Sequence, residues 1–175
     1  MPRTRVTLLS GFLGAGKTTL LNAMLRETPE PLGVIVNDFG AVNIDASLVA
    51  GHTALEGEVT LQGGCICCTI RGDLLGALVR LRQRERAPSH VIIEASGLSD
   101  PASIARTLAA PRVSDHFELA TIVGCLDPTT FSALAREDAE LARAQLRVCD
   151  FVVCTKHDMA THAQLQEARE ALACV

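Results

Sequence analysis

Short apolar runs recur along the chain, separated by stretches in which apolar positions return every three or four residues. The runs are Arg5–Ser10, Gly33–Asn37, His90–Glu94, Leu119–Leu126 and Asp150–Cys154, and each reads as a buried strand. Val59-Thr60-Leu61 alternates instead, like a strand with one wet face, and is expected to pair as a hairpin with the stretch around Thr53–Leu55. Leu20, Leu21, Met24 and Leu25 mark a helix after the first strand; Leu74, Leu75, Leu78, Val79 and Leu81 mark another. Asp100-Pro101 and Asp127-Pro128 each set a capping carboxylate before a proline, so helices are expected to start there. Ala139–Val148 reads as helix, and Thr161 with Gln164 forms a capping box for a last helix through Ala173. Strands alternating with helices predict an α/β fold: a mostly parallel sheet with helices on both faces.

Between the first strand and its helix lies Gly11-Phe12-Leu13-Gly14-Ala15-Gly16-Lys17-Thr18, closed by Thr19. Glycine, four residues, glycine, lysine and Ser/Thr is the phosphate-binding loop pattern, and strand–loop–helix is the order it requires. Gly11, Gly14 and Gly16 permit turns that a Cβ would forbid, so the N–H groups of Gly14, Ala15, Gly16, Lys17, Thr18 and Thr19 can face phosphate oxygens. Lys17 adds a mobile positive charge for the β/γ-phosphates, and the Thr18 hydroxyl suits Mg²⁺. The positive end of the following helix adds to the same anion site. The predicted fold is therefore the three-layer P-loop NTPase fold.

Composition narrows the partners. The chain has 175 residues, 48% of them hydrophobic, enough for one domain with a sizeable core. Its net charge of −4 and the lack of any basic run argue against nucleic acid. Arg80, Arg82, Arg84 and Arg86 read as a solvated helix end. No apolar stretch is long enough for a membrane span, and Met1–Arg5 enters the first strand too quickly for a signal peptide. The expected compartment is the cytoplasm, where thiols stay reduced. The chain closes on a helix with no strand after it, so residues 1–175 are expected to stop inside or just short of the full domain.

Three further stretches carry chemistry. Glu94 ends a buried strand, where ligands bind in open α/β sheets, and its carboxylate can hold Mg²⁺ or its waters. Gly97, three residues on, can offer an N–H to a γ-phosphate; a helix-capping or salt-bridged Glu94 is the plainer alternative. After the last strand comes Thr155-Lys156-His157-Asp158. Asp158 can accept two hydrogen bonds from guanine, and the Lys156 stem can lie across the base; a solvated turn is the alternative. Cys65, Cys67 and Cys68 crowd into four residues. Three thiolates can grip one soft or borderline cation and leave its fourth position open, as suits a metal that is handed on. A Cys65/Cys68 redox pair and buried inert thiols are the other readings. Asp38, Glu56, Glu58, His52 and His116 are candidate extra ligands, while Cys125, Cys149 and Cys154 read as small buried hydrophobes.

With these residues assembled, the chain resembles the GTPase domain of the CobW family, in the CobW/HypB/UreG group of metallochaperone GTPases. The resemblance covers about residues 5 to 158. It rests on the phosphate loop, on Asn37-Asp38-Phe39-Gly40 with Ile44-Asp45, on Gly63-Gly64-Cys65-Ile66-Cys67-Cys68 and on Glu94–Pro101. It implies that Thr18, Glu94 and Asp38 form the magnesium side, that Asp38–Asp45 is the first switch, and that Cys65, Cys67 and Cys68 hold Zn²⁺, Co²⁺ or Ni²⁺. It also implies slow GTP hydrolysis, with GDP as product, linked to release of metal to a client metalloprotein; a homodimer is left open. Two features depart from the family. Thr155 stands where the base motif usually has Asn, which braces base and phosphate loop. The family's usual C-terminal domain is not within these residues, so client recognition is expected to lie outside them.

Two rivals use the same residues differently. A P-loop kinase would need an acceptor pocket, and Lys156, Asp158 and the cysteine cluster argue against it. A non-catalytic zinc-storage or redox module would have no use for intact Lys17, Thr18 and Glu94.

Overall fold

The structure is a computed structural model that describes residues 2–30, 32–36, 59–60, 69–84 and 87–173. Asp38, the segment to Asp45, His52, the Thr53–Leu55 stretch, Glu56, Glu58, Cys65, Cys67, Cys68 and Cys174 lie outside the described residues.

Six strands form one sheet, β1 (Thr4–Ser10), β2 (Leu32–Val36), β3 (Val59–Thr60), β4 (His90–Glu94), β5 (Phe117–Leu126) and β6 (Phe151–Cys154). Their order is β3-β2-β4-β1-β5-β6, and every pairing is parallel. The helices are α1 (Lys17–Glu27), α2 (Thr69–Arg82), α3 (Pro101–Leu108), α4 (Pro128–Phe131), α5 (Arg136–Leu146) and α6 (His162–Ala173). Short parallel strands need crossover helices, and those helices bury both faces of the sheet, which is why the strands carry so few polar positions.

Alternation along the strands sorts the core into two sides. Val6, Leu8, Ile35, Val91 and Ile93 pack with Leu74, Ala77, Leu78 and Leu81 of α2 and Ile104 and Leu108 of α3. Leu9, Val36 and Ile92 point the other way, against Leu21 of α1 and its partly buried neighbours. A third cluster joins Leu126 to Phe131, Ala142, Leu146 and Ala168, from α4, α5 and α6. The capping signals hold: Asp100 accepts from the Ala102 N–H and Asp127 from the Thr129 N–H, each at 2.9 Å. Gln164 likewise accepts from the Thr161 N–H at 2.9 Å, and the Thr161 hydroxyl accepts in return at 3.3 Å.

β3 lies parallel to β2, with Ile35 opposite Val59, and so belongs to the main sheet, while the hairpin partner expected around Thr53–Leu55 lies outside the described residues. Two expectations need correction. Val79 is exposed on α2. Cys154 is exposed, whereas Cys125 is buried, because β6 has only β5 beside it among the described residues. No helix among the described residues is long and apolar enough to cross a membrane.

Candidate nucleotide site

The parallel sheet brings the carboxyl ends of β1, β4, β5 and β6 together, and the candidate residues gather there. β1 ends at Ser10 and the chain turns at once through the glycine loop into α1. Gly14 and Gly16 take left-handed φ values of 71° and 86°. Only glycine adopts these without strain, and they let successive N–H groups line a concave anion site. Gly16 caps α1 with no side-chain hydrogen bond, leaving the helix N–H groups to the cleft. Lys17 is buried and folds its ammonium back onto the loop, donating to the carbonyls of Gly11 at 2.9 Å and Phe12 at 3.0 Å. Thr19 lies exposed on the first turn of the same helix.

Register places the next pair. Leu9 of β1 lies opposite Glu94 of β4, so the residues just beyond these strand ends meet. The Thr18 hydroxyl donates to Glu94 Oε1 at 2.6 Å across 76 positions of sequence. Glu94 is a buried carboxylate at the floor of the loop. A hydroxyl and a carboxylate oxygen are the hard donors that Mg²⁺ prefers, so these two residues fit that ion.

Gly97 follows in a tight turn and presses on the phosphate loop. A Cβ there would lie 2.7 Å from the Leu13 nitrogen, so only glycine allows the contact. Ser99 closes the turn by donating from its N–H and its hydroxyl to the Ser96 carbonyl, at 3.0 and 2.8 Å. Gln145 of α5 holds the turn from behind, donating to the carbonyls of Gly97 and Ser99.

On the other flank, the Thr155 hydroxyl lies 2.9 Å from the Ala15 carbonyl and 3.2 Å from that of Leu126, with one hydrogen to share between them. Thr155 thereby ties the end of β6 to the phosphate loop. Lys156 takes a left-handed φ of 49° and donates to the Gly14 carbonyl at 3.0 Å and to Asp127 Oδ2 at 2.6 Å. Burial alone would raise the Asp127 pKa; hydrogen bonds from Lys156 and Thr129 outweigh it and hold the carboxyl below its ordinary range. Asp158 and His157 are exposed in the 3-10 turn His157–Met159 that follows.

So Gly14, Ala15, Gly16, Lys17, Thr18, Glu94, Gly97 and Lys156 converge, with Asp158 on the open side. His116 does not join them: it precedes Phe117, at the opposite end of β5. Among the described residues no group of three or more His, Cys, Asp or Glu side chains could hold a metal ion. Two residues at the site escaped the sequence reading in their present roles. Asp127 carried a signal only as a cap, and Gln145 only as a polar residue between Ala142 and Leu146 on an apolar face.

Residues 5–174 match the family model described as CobW/HypB/UreG, nucleotide-binding domain. The chain is 30% identical over 190 residues to the zinc chaperone CobW of a Sinorhizobium species, covering 94% of this chain and 54% of the relative. It is 34% identical over 171 residues to the zinc chaperone YjiA of Escherichia coli strain K12, covering 95% and 53%. The chain thus spans about half the length of these curated relatives. Among solved structures, a Zn(II)-bound triple mutant of the YjiA GTPase superposes with a TM-score of 0.70 at 26% identity, covering 98% of this chain and 55% of that one. HypB from Helicobacter pylori in complex with nickel shares the fold, with a TM-score of 0.64 at 19% identity over 97% of this chain and 74% of that one. The chain belongs to the CobW/HypB/UreG family of nucleotide-binding domains.

Proposed function

We propose that this chain is the nucleotide-hydrolysing part of a metal-handling GTPase, one that couples Mg-GTP binding and hydrolysis to delivery of a transition metal. The observation that carries the reading is the Thr18–Glu94 contact at 2.6 Å beside the nested glycine loop. It joins two oxygen donors at the point where a triphosphate on the loop would end.

In this reading the N–H groups from Gly14 to Thr19 hold the β- and γ-phosphates. Lys17 exchanges its two loop carbonyls for phosphate oxygens. Thr18 and Glu94, with Asp38, hold Mg²⁺, which when bound spreads the charge of the phosphate oxygens. Water attacks the γ-phosphorus in line, the bond to the bridging oxygen breaks, and GDP and inorganic phosphate are released. Lys17 and the loop amides stabilise the charge that builds up as the bond breaks. Gly97 senses the γ-phosphate through its N–H. Asp158 reads guanine, with Lys156 against the base.

Cys65, Cys67 and Cys68 hold the cargo, zinc by default and cobalt or nickel on the same donor set. Relatives named zinc chaperones support zinc. The recipient is a client metalloprotein, the compartment is cytoplasmic, and neither nucleic acid nor membrane takes part; a homodimer is compatible with the fold. Residues 1–175 belong to the GTPase domain.

Metal and nucleotide affinities must then change by one common factor in both directions. Zinc titrated into protein loaded with a non-hydrolysable GTP analogue, and separately with GDP, tests this. Equal zinc affinity in the two states refutes the coupling. Lys17→Ala should abolish GTP binding, and a variant that still binds GTP at the wild-type level would remove the assigned site.

A further inference from the structure

We infer that Gln145 is a positioning residue for the turn that meets the γ-phosphate, an inference that rests on the role proposed for Gly97. Gln145 is 1% exposed and sits on α5, far in sequence from the phosphate loop. Its Nε2 donates to the Gly97 carbonyl at 2.9 Å and to the Ser99 carbonyl at 3.0 Å. Two carbonyls facing one side-chain nitrogen fix the orientation of the amide, since only the NH₂ end can donate to both. Both amide hydrogens are thereby spent on a single turn.

The other end of the amide shows what this arrangement costs. Gln145 Oε1 is buried and has no hydrogen-bond partner among the described residues. An acceptor left unmade in the interior is a penalty that an apolar side chain of similar size would not carry. α5 is otherwise apolar here, with Ala142 and Leu146 buried beside it. Packing alone therefore favours Leu or Met at this position, and the two donated bonds are what the glutamine supplies.

Those bonds act on a turn already in close contact with the phosphate loop. Gly97 already abuts the Leu13 backbone of the phosphate loop, with no room for a Cβ. Gln145 reaches the same turn from α5. The Gly97 carbonyl belongs to the peptide joining it to Leu98, and the Ser99 carbonyl to the peptide joining it to Asp100, so the two bonds fix the turn on both sides of the Leu98–Ser99 peptide. The Gly97 N–H shares its peptide plane with the Ser96 carbonyl, which accepts from the Ser99 N–H and hydroxyl, so Gln145 orients that N–H through Ser99 and through the Gly97 carbonyl that follows it. The turn is thus set for the triphosphate state before nucleotide arrives.

The test is the ratio of affinities for GDP and for a non-hydrolysable GTP analogue, measured with Mg²⁺ by fluorescent nucleotide titration. Gln145→Met keeps the volume and removes both donors. It should lower the preference for the triphosphate by about threefold to tenfold, the worth of one or two neutral hydrogen bonds, while GDP affinity stays within about twofold. Gln145→Glu keeps the shape and, when protonated, one donor; its ratio should fall between the two, and it serves if Gln145→Met does not fold. Leu146→Val, a packing change one residue away, should lower the melting temperature and leave the ratio alone, which a merely structural role for Gln145 would not distinguish. Either Gln145 variant with the wild-type ratio overturns the inference. Gly97→Ala separates the two readings. If it loses the ratio and Gln145→Met keeps it, the inference about Gln145 fails alone; if Gly97→Ala also keeps it, the role of Gly97 falls and takes the inference with it.

Discussion

Replacing Asp127 by Asn removes one charge and almost no volume, and so isolates its ion pair with Lys156, just after β6. Asp127 is 3% exposed and Lys156 40%, with 2.6 Å between Nζ and Oδ2. A charge-assisted hydrogen bond contributes roughly 1.5–3 kcal/mol, and the solvent on the lysine end pulls this pair to the lower part of that range. The Asn variant keeps an oxygen to cap α4 through the Thr129 N–H. The expected loss is therefore about 1–2 kcal/mol, or roughly 2–8 °C in melting temperature for a chain of this size. Asp127→Ala also forfeits the cap and should cost about 1 kcal/mol more.

A double-mutant cycle with Lys156→Met, read by urea unfolding, separates the pair from the cap. The coupling should be about 1 kcal/mol, and a value within about 0.3 kcal/mol of zero refutes the pair as a stabilising contact. The pH dependence has a definite sign. The folded pKa of Asp127 lies below its ordinary 3.8, so its contribution is complete above that value and is lost as pH falls through the folded pKa. The gap between wild type and Asp127→Asn should close in that acid range. A gap that widens there contradicts the assignment.

The remaining predictions concern the loop brace, the thiols and the core. Thr155→Val deletes the hydroxyl that reaches the Ala15 carbonyl and should cost about 0.5–1.5 kcal/mol in urea unfolding; no loss means the brace is idle. Burial pushes the Cys125 and Cys149 thiols up to about 11, while Cys154 is exposed. Iodoacetamide should therefore label Cys154 in the native protein and the other two after denaturation, and native labelling of Cys125 at the same rate counts against the packing. Because those two thiols stay protonated when folded, the stability they lend is whole below pH 9.0 and drains as pH rises toward about 11. Leu78→Ala empties a site that is 1% exposed and should cost about 2–5 kcal/mol by the same unfolding assay.

What could be read from the chain alone follows the distance over which each interaction acts. Caps act over two or three residues, so Asp100, Asp127 and the Thr161/Gln164 box were legible. The glycine loop is equally local, because its spacing is its geometry. Helix α5 begins at Arg136 and ends at Leu146, earlier at both ends than Ala139–Val148, because its first turn is polar and carries no apolar period. Glu137 and Asp138 favour that turn through the helix dipole instead. β5 starts at Phe117 and not Leu119, beside the point where the Thr4 N–H donates to the His116 carbonyl from the far end of the sequence.

Strand order was the missing quantity, and it decides the rest. A run such as Phe151–Cys154 looks the same in a central strand as at an edge, and at the edge of the sheet formed by the described residues Phe151 is 67% exposed and Cys154 is exposed too. Order and register together bring Thr18 onto Glu94, Thr155 onto Ala15 and Lys156 onto Asp127, contacts that span 29 to 140 positions. Each partner had a separate reading beforehand, as metal ligand, base-motif residue or cap. None of those readings contained the pairing, because nothing local in the sequence fixes which strand lies beside which. Gln145 is the extreme case: it had no reading beforehand, because both of its acceptors are backbone carbonyls, which no side-chain pattern can announce.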